Sequence, residues 1–390
     1  MQQTWRWFGP DDSVSLAKIA QAGATGVVTS LHHIPTGETW SLGEVEERKR
    51  EIEAAGLKWS VVESIPLHND LKTGRGNYRA LLDSYKDSVR NVGRAGVETV
   101  CYNFMPVVDW TRTNLDYQLE DDSRALRFEM TDFAAYDVFI LERENAAADY
   151  DPTLLAKAKS RLATMGDKEK ALLEKNIIAG LPGGEGSYDR DTIRLAIGEF
   201  IELGTEGMRA NLLAFLEEVI PVAEEYGVRM CIHPDDPPFS LFGLPRVVST
   251  AEDARALINA VPSACNGLTL CAGSFGARGD NDLVAMVREF GPQIHFVHLR
   301  NVKREDDGSF FESEHLDGDN DMVGLIGALL DEEARRHNEG RTDFIPMRPD
   351  HGHLIGDEIG QAGVNPGYSY AGRLKGLAEL RGVIHTLESL

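Results

Sequence analysis

The feature that most limits what this chain can become is an alternation. A short apolar segment is followed by an amphipathic helical segment, and the pair recurs along nearly the whole sequence. "TWRWF" (4–8) precedes a helix running from near Ser13 to near Gly23. "GVVTSL" (26–31) precedes a helix in which Ser41 and Glu44 form a capping box, Trp40 can staple onto Val45, and Gly56 ends the run. "LKWSVVES" (57–64) and "ETVCYNF" (98–104) flank a helix within 77–95. After a break come a helix at 206–226, "GVRMCIHP" (227–234), and a helix capped by Ser249 and Glu252. "GLTLCAG" (267–273), a helix near 281–290, "IHFVHLR" (294–300), a helix near 322–337 and "DFIPMRPD" (343–350) follow. A last helix carries Leu374, Leu377, Leu380, Ile384 and Leu387 at helical spacing.

Strands joined by helices must run parallel, because a parallel connection needs a long crossover. Eight such units predict closure into a (β/α)8 barrel, and 390 residues suit one barrel domain with an insertion. Residues 110–205 are highly charged and mostly helical in pattern, and they read as a largely helical cap inserted after strand four. The competing fold is an open doubly wound sheet. Its dinucleotide-binding form needs GxGxxG directly after the first strand, where this chain has "GPDDS". The glycines of "GLPGGEG" (180–186), in a stretch that reads as flexible, follow a helical segment and carry no such meaning.

Composition narrows the partners. A formal net charge of −23 argues against nucleic acid or an anionic membrane surface, both of which need clustered positive charge. No apolar run reaches the roughly 18 residues of a membrane span. The start "MQQTWRWFGPDDS" lacks the basic-then-apolar pattern of a signal peptide. Cys101, Cys231, Cys265 and Cys271 form no CxxC pair, which suits reduced thiols in a cytoplasmic protein.

A barrel places its active site at the C-terminal ends of its strands. Strand five ends in His233, strand six in Cys271, strand seven in His298 and strand eight in Asp350. Any one of these has an ordinary reading: a satisfied histidine, a small core thiol, a helix cap. Four adjacent strands each presenting a metal donor at one level do not. The strand period of two puts His298 on one face with Phe296 and Arg300, turns His295 the other way, and puts Asp350 with Arg348. Two imidazoles, a thiolate and a carboxylate suit Mn2+, Fe2+, Co2+ or Zn2+ and not Mg2+ or Ca2+. A closed structural zinc is the alternative, though a barrel mouth favours an open, catalytic ion.

Arg348 and Arg300 face the same interior, either to hold a substrate acid or to form ion pairs within the barrel. Asn103 stands at the mouth of strand four, and one of His32 and His33 is expected to face the pocket, with His33 taken as the substrate-binding candidate. Cys231 lies deeper on the His233 face and reads as core, and Cys101 and Cys265 read as structural. "DGDND" (317–321) has Met322 where a calcium loop needs glycine, so it reads as solvated loop, with His315 exposed beside it.

These stretches resemble one family. "TWRWFGPDD", "AGATGVVTSLHHIP", "CYNFMPVVDWTRT", "MCIHPDDPP", "VHLRNV", "MRPDHGH" and "NPGYSYAGRLKGLAELRG" occur in order along almost the whole chain, as in the metal-dependent mannonate dehydratases of hexuronate catabolism. The resemblance implies a (β/α)8 fold, Mn2+ or Fe2+ as cofactor, and a homo-oligomer. It implies loss of water from D-mannonate to give 2-keto-3-deoxy-D-gluconate. It assigns metal ligation to His233, Cys271, His298 and Asp350, and catalysis to His351 and Tyr368. A proton alpha to a carboxylate is weakly acidic, so such chemistry needs positive charge at the acid, one group to take the proton and another to protonate the departing hydroxide. A metal-dependent sugar isomerase or epimerase on the same barrel is the alternative, but those sites usually place carboxylates, not a thiolate, at the strand ends.

Overall fold

The computed structural model describes residues 1–179 and 188–389, and the glycine-rich stretch 180–187 lies outside them. Its strands, in chain order, are β1 (Gln2–Arg6), β2 (Gly26–Thr29), β3 (Lys58–Glu63), β4 (Thr99–Tyr102), β5 (Asn114–Gln118), β6 (Arg124–Phe128), β7 (Arg229–Ile232), β8 (Asn266–Cys271), β9 (Ile294–His298), β10 (Val302–Arg304), β11 (Phe310–Glu312) and β12 (Pro346–Arg348). Eight of these close into a parallel barrel in the order β1-β12-β9-β8-β7-β4-β3-β2. Each barrel strand leads to a helix packed outside it: Leu16–Gln21, Leu42–Ala54, Tyr78–Arg94, Arg190–Tyr226, Ala251–Ala260, Leu283–Phe290, Met322–Asn338 and Tyr370–Glu388. The expected (β/α)8 barrel is the observed fold.

Local chemistry sets the element ends. Ser41 accepts from the Glu44 amide while the Glu44 side chain returns to the Ser41 amide, so the expected capping box starts the second helix. The cap after β7 sits one residue later than expected. Thr250 and Asp253 form it, while Ser249 gives its hydroxyl to Asp235 at 2.8 Å. The helix expected at 206–226 is the second half of Arg190–Tyr226, which breaks at Gly204 where φ is +68°.

Inside the barrel, Val28, Val61, Cys101, Cys231 and Phe296 pack as one buried apolar layer. This is the floor of the mouth, and it explains why Cys231 and Cys101 are core. Residues two further along each strand emerge above it.

The insertion is helical, at Met130–Ala135, Pro152–Thr164 and Asp167–Ala179, but it opens with a hairpin that sequence reasoning did not find. That hairpin, β5 and β6, joins β10 and β11 in a four-stranded antiparallel sheet of order β10-β11-β6-β5. Phe310 and Phe128 are register partners and stack at 5.7 Å. Arg127 locks the sheet by pairing with Glu129 and, at 2.6 Å, with Glu305. The sheet draws residues from two separate stretches, one between β4 and β7 and one between β9 and β12, and brings them to the barrel mouth. No helix among the described residues is long and apolar enough to cross a membrane.

Candidate metal centre and active site

Register places three expected donors together. Cys271 is the partner of His298 across β8 and β9, and His298 is the partner of Arg348 across β9 and β12. His233 follows β7 directly, its amide donating to the Tyr102 carbonyl at 2.8 Å. One donor atom each from His233, Cys271 and His298 lies within 4.8 Å of the other two, and His233 Nε2 is 3.3 Å from His298 Nδ1. Cys271 and His298 are fully buried. Burial works against charge on His233, but the neighbouring Cys271, with Cys101 and Glu63, outweighs it and pushes the imidazole up to about 10. Burial, helped by Arg348, holds His298 well below its ordinary value. Two imidazoles and a thiol that converge on one buried point are a donor set that fits a borderline divalent ion.

Asp350 flanks this trio. Its Oδ2 is 3.8 Å from both Cys271 Sγ and His298 Nδ1. Its backbone has φ +66°, a left-handed conformation that turns the carboxylate back toward the strand ends. Arg348 pairs with Oδ1, and Arg300 stands 3.4 Å from Oδ2. Arg348 also donates to Glu63 at 3.0 Å. Both arginines are therefore ion-paired within the barrel mouth, one of the two roles the sequence left open.

His351 is buried beside the trio. Its Nε2 is 3.2 Å from the Tyr368 hydroxyl, and the two rings meet edge-on at 4.8 Å. Phe8 packs edge-on against Tyr368 at 4.8 Å, and Trp110 lies at 6.0 Å from His351. Burial outweighs the charge of Arg348 and pushes Tyr368 up to about 12.

Other candidates fall elsewhere. His33 is exposed and lies 3.5 Å from Glu44, on the outside of the barrel, so it does not face the mouth. Its neighbour His32 turns inward: both ring nitrogens are buried without a hydrogen-bond partner among the described residues, and its ring lies 5.8 Å from Phe8. Asn103 emerges directly past β4, beside Asp109. His315 is buried, not exposed, and its Nε2 meets the Pro349 carbonyl at 2.8 Å, bracing the segment that carries Asp350. His353 does similar work on the other side, with Nε2 at 2.8 Å from the Glu312 carbonyl.

The sequence matches the D-mannonate dehydratase (UxuA) family model over residues 1–390. The chain belongs to that family. It is 71% identical to a mannonate dehydratase of Saccharophagus degradans, over 100% of this chain and 98% of the relative. It is 59% identical to mannonate dehydratase 2 of Agrobacterium fabrum over the same shares. The crystal structure of a mannonate dehydratase from Streptococcus suis serotype2 superposes with a TM-score of 0.78 at 33% identity, covering 100% of this chain and 94% of that one. A D-psicose 3-epimerase solved with D-fructose covers 98% of this chain and 99% of its own with a TM-score of 0.52 at 14% identity, a likeness of fold alone.

In this dehydratase, four charged residues that sequence reasoning passed over complete the mouth. Glu63 ends β3, pairs with Arg348, and lies 3.5 Å from His298 Nε2. Burial opposes its charge, but Arg348 and His298 prevail and hold it down to about 2. Asp236, in the loop after β7, receives Arg112 at 2.8 Å, Arg300 at 2.6 Å and Ser274 at 2.9 Å. Glu312, from β11, receives Arg112 at 2.9 Å and faces His351 Nδ1 at 2.6 Å. Arg112 itself is fully buried, between the Trp110 and Phe310 rings.

Proposed function

We propose that the barrel mouth dehydrates D-mannonate to 2-keto-3-deoxy-D-gluconate. The observation behind this reading is the convergence of His233, Cys271 and His298 beside the buried His351–Tyr368 pair, in a chain of this family. These three residues, with Asp350 as fourth, would hold Mn2+ or Fe2+. A bound divalent ion supplies the positive charge that an acid and its neighbouring hydroxyl need as the alpha proton leaves.

The protein's own groups move the protons. Tyr368, pushed up to about 12, keeps its proton at neutral pH and is the donor. His351 is the acceptor at Nε2. The proton on C2 passes to His351, and the C2–H electron pair forms the C2–C3 double bond as the C3–O bond breaks. The departing hydroxide takes the Tyr368 proton and leaves as water. The 3.2 Å contact between Tyr368 and His351 returns a proton to the tyrosine and resets the pair. The enol then becomes the keto acid. Arg348 and Arg300 offset the carboxylates at the mouth and steer the substrate acid toward it. The partner is thus a small sugar acid. A cytoplasmic homo-oligomer fits this reading of a metabolic enzyme.

The test is proton NMR of D-mannonate incubated with chelator-treated protein, before and after Mn2+ or Fe2+ is restored. Dehydration produces a methylene at C3. An epimerase or isomerase yields a changed sugar without one, and a binding protein leaves the spectrum unchanged. Either result would refute the assignment.

A further inference from the structure

We propose that Glu312 is a positioning residue for the dehydration, fixing which ring nitrogen of His351 faces the reacting atoms. This rests on the reading of His351 and Tyr368 as the acid–base pair. Glu312 does not come from the barrel. It lies on β11 of the covering sheet, buried at 3% exposure.

Its two oxygens are divided. Oε1 takes the cations, Arg112 Nη2 at 2.9 Å and Arg300 Nη1 at 3.2 Å. Oε2 is given to His351 Nδ1 alone, at 2.6 Å. A carboxylate kept only to neutralise the two arginines would not need that second contact. Flanked by the Arg112 and Arg300 guanidinium groups, Glu312 is an ionised carboxylate and so an acceptor only. Arg300 Nη1 stands 3.2 Å from the same nitrogen, the longer of its two contacts, so the 2.6 Å contact to the carboxylate sets the hydrogen on Nδ1 and leaves Nε2 for the reacting side. Nε2 is the nitrogen that meets the Tyr368 hydroxyl at 3.2 Å. The line Glu312–His351–Tyr368 thus specifies one tautomer and one ring orientation.

The arrangement is over-determined. His353 Nε2 grips the Glu312 carbonyl at 2.8 Å, so the segment carrying His351 and the strand carrying Glu312 are tied at two points. Arg112 is tied to Asp236 at 2.8 Å, which anchors the far side of Glu312 to the loop after β7. Removing a carboxylate that orients a histidine of a metal site costs on the order of 10- to 100-fold, and a loss of that order is expected for Glu312.

The experiment measures kcat, KM and bound Mn2+ for Glu312→Gln, Glu312→Asp and His351→Ala, and for Glu312→Gln combined with His351→Ala. The aspartate keeps a charge for both arginines but withdraws the oxygen from Nδ1, so it guards against loss of the fold. Both single Glu312 variants are expected to lose about 10- to 100-fold in kcat, with KM within about threefold and metal content unchanged. In the His351→Ala background, Glu312→Gln is expected to cost less than about twofold more, because a residue acting through His351 has nothing left to act on. Wild-type kcat in either folded variant, or a full further loss in the double variant, would overturn the proposal. Wild-type kcat in His351→Ala would instead overturn the acid–base reading beneath it.

Discussion

Arg112 is the cation on which the covering sheet and the barrel mouth depend, and its replacement by methionine gives a calculable loss. Its guanidinium makes two charge-assisted bonds, to Asp236 at 2.8 Å and Glu312 at 2.9 Å, with no exposed surface. Such bonds contribute about 1.5–3 kcal/mol each. Truncating one member of a buried ion pair costs about 3–5 kcal/mol, because a charge is left behind. Here the loss falls toward the lower end, since Arg300 still faces Asp236 at 2.6 Å and Glu312 at 3.2 Å. Contacts to the Trp110 and Phe310 rings, at 4.7 and 4.8 Å, add about 0.5–2 kcal/mol that the methionine stem partly recovers. The sum is about 3–4 kcal/mol. Guanidinium unfolding at fixed protein concentration, followed by tryptophan fluorescence, measures it. A loss below about 1 kcal/mol would mean that Arg300 alone satisfies both carboxylates and that Arg112 is not the tie described.

His233→Ala and Asp350→Ala are each expected to lower bound metal to a small fraction of the wild-type content by elemental analysis, and full occupancy in either removes that residue from the ligand set. Tyr368→Phe should bind metal normally and lose at least about 100-fold in kcat, the span of a general acid, so wild-type turnover would end its catalytic role. His295 gives a pH prediction. Burial, reinforced by Arg229 and Arg336, holds it at about 3. Between about pH 6.5 and 3 the unfolded chain binds a proton there that the folded chain refuses, so stability falls as pH drops through that window. At pH 5 the cost is about 2 kcal/mol, at roughly 1.4 kcal/mol per pH unit below 6.5. A His295→Asn variant should lack that part of the slope in denaturation midpoints, and an unchanged slope contradicts the assignment.

The barrel and the convergence of its candidate metal donors were legible because strand geometry is strict. Parity along β7, β8 and β9 puts His233, Cys271 and His298 on the inner face, and neighbouring parallel strands keep their ends level. Glu63 obeys the same rule at the end of β3 and was open to the same reasoning. The rule fails where the strand stops. β2 ends at Thr29, so counting onward to His33 has no physical basis, and the turn that follows buries His32 instead. The covering sheet was illegible for a different reason. β10 and β11 are three residues each, too short for a period to show, and "NLDYQ" lies in the stretch 110–205 whose pattern reads as mostly helical. Their pairing is long-range: Phe310 meets Phe128 across a gap no local pattern encodes. Glu312 and Arg112 therefore reach the mouth through tertiary structure alone. His315 was misjudged likewise, since nothing local reveals that Pro349 will accept its hydrogen bond.

The most direct measurement of the central claim is a Co2+ titration of the metal-free protein, followed by absorption. A thiolate ligand from Cys271 on the same ion as the two imidazoles gives a near-ultraviolet thiolate-to-cobalt charge-transfer band that saturates at one equivalent. That band is expected in the wild type and absent in Cys271→Ser, while the ligand-field bands of the bound ion persist. A wild-type titration without the charge-transfer band, or a Cys271→Ser variant that keeps it, would contradict a metal centre built from His233, Cys271 and His298.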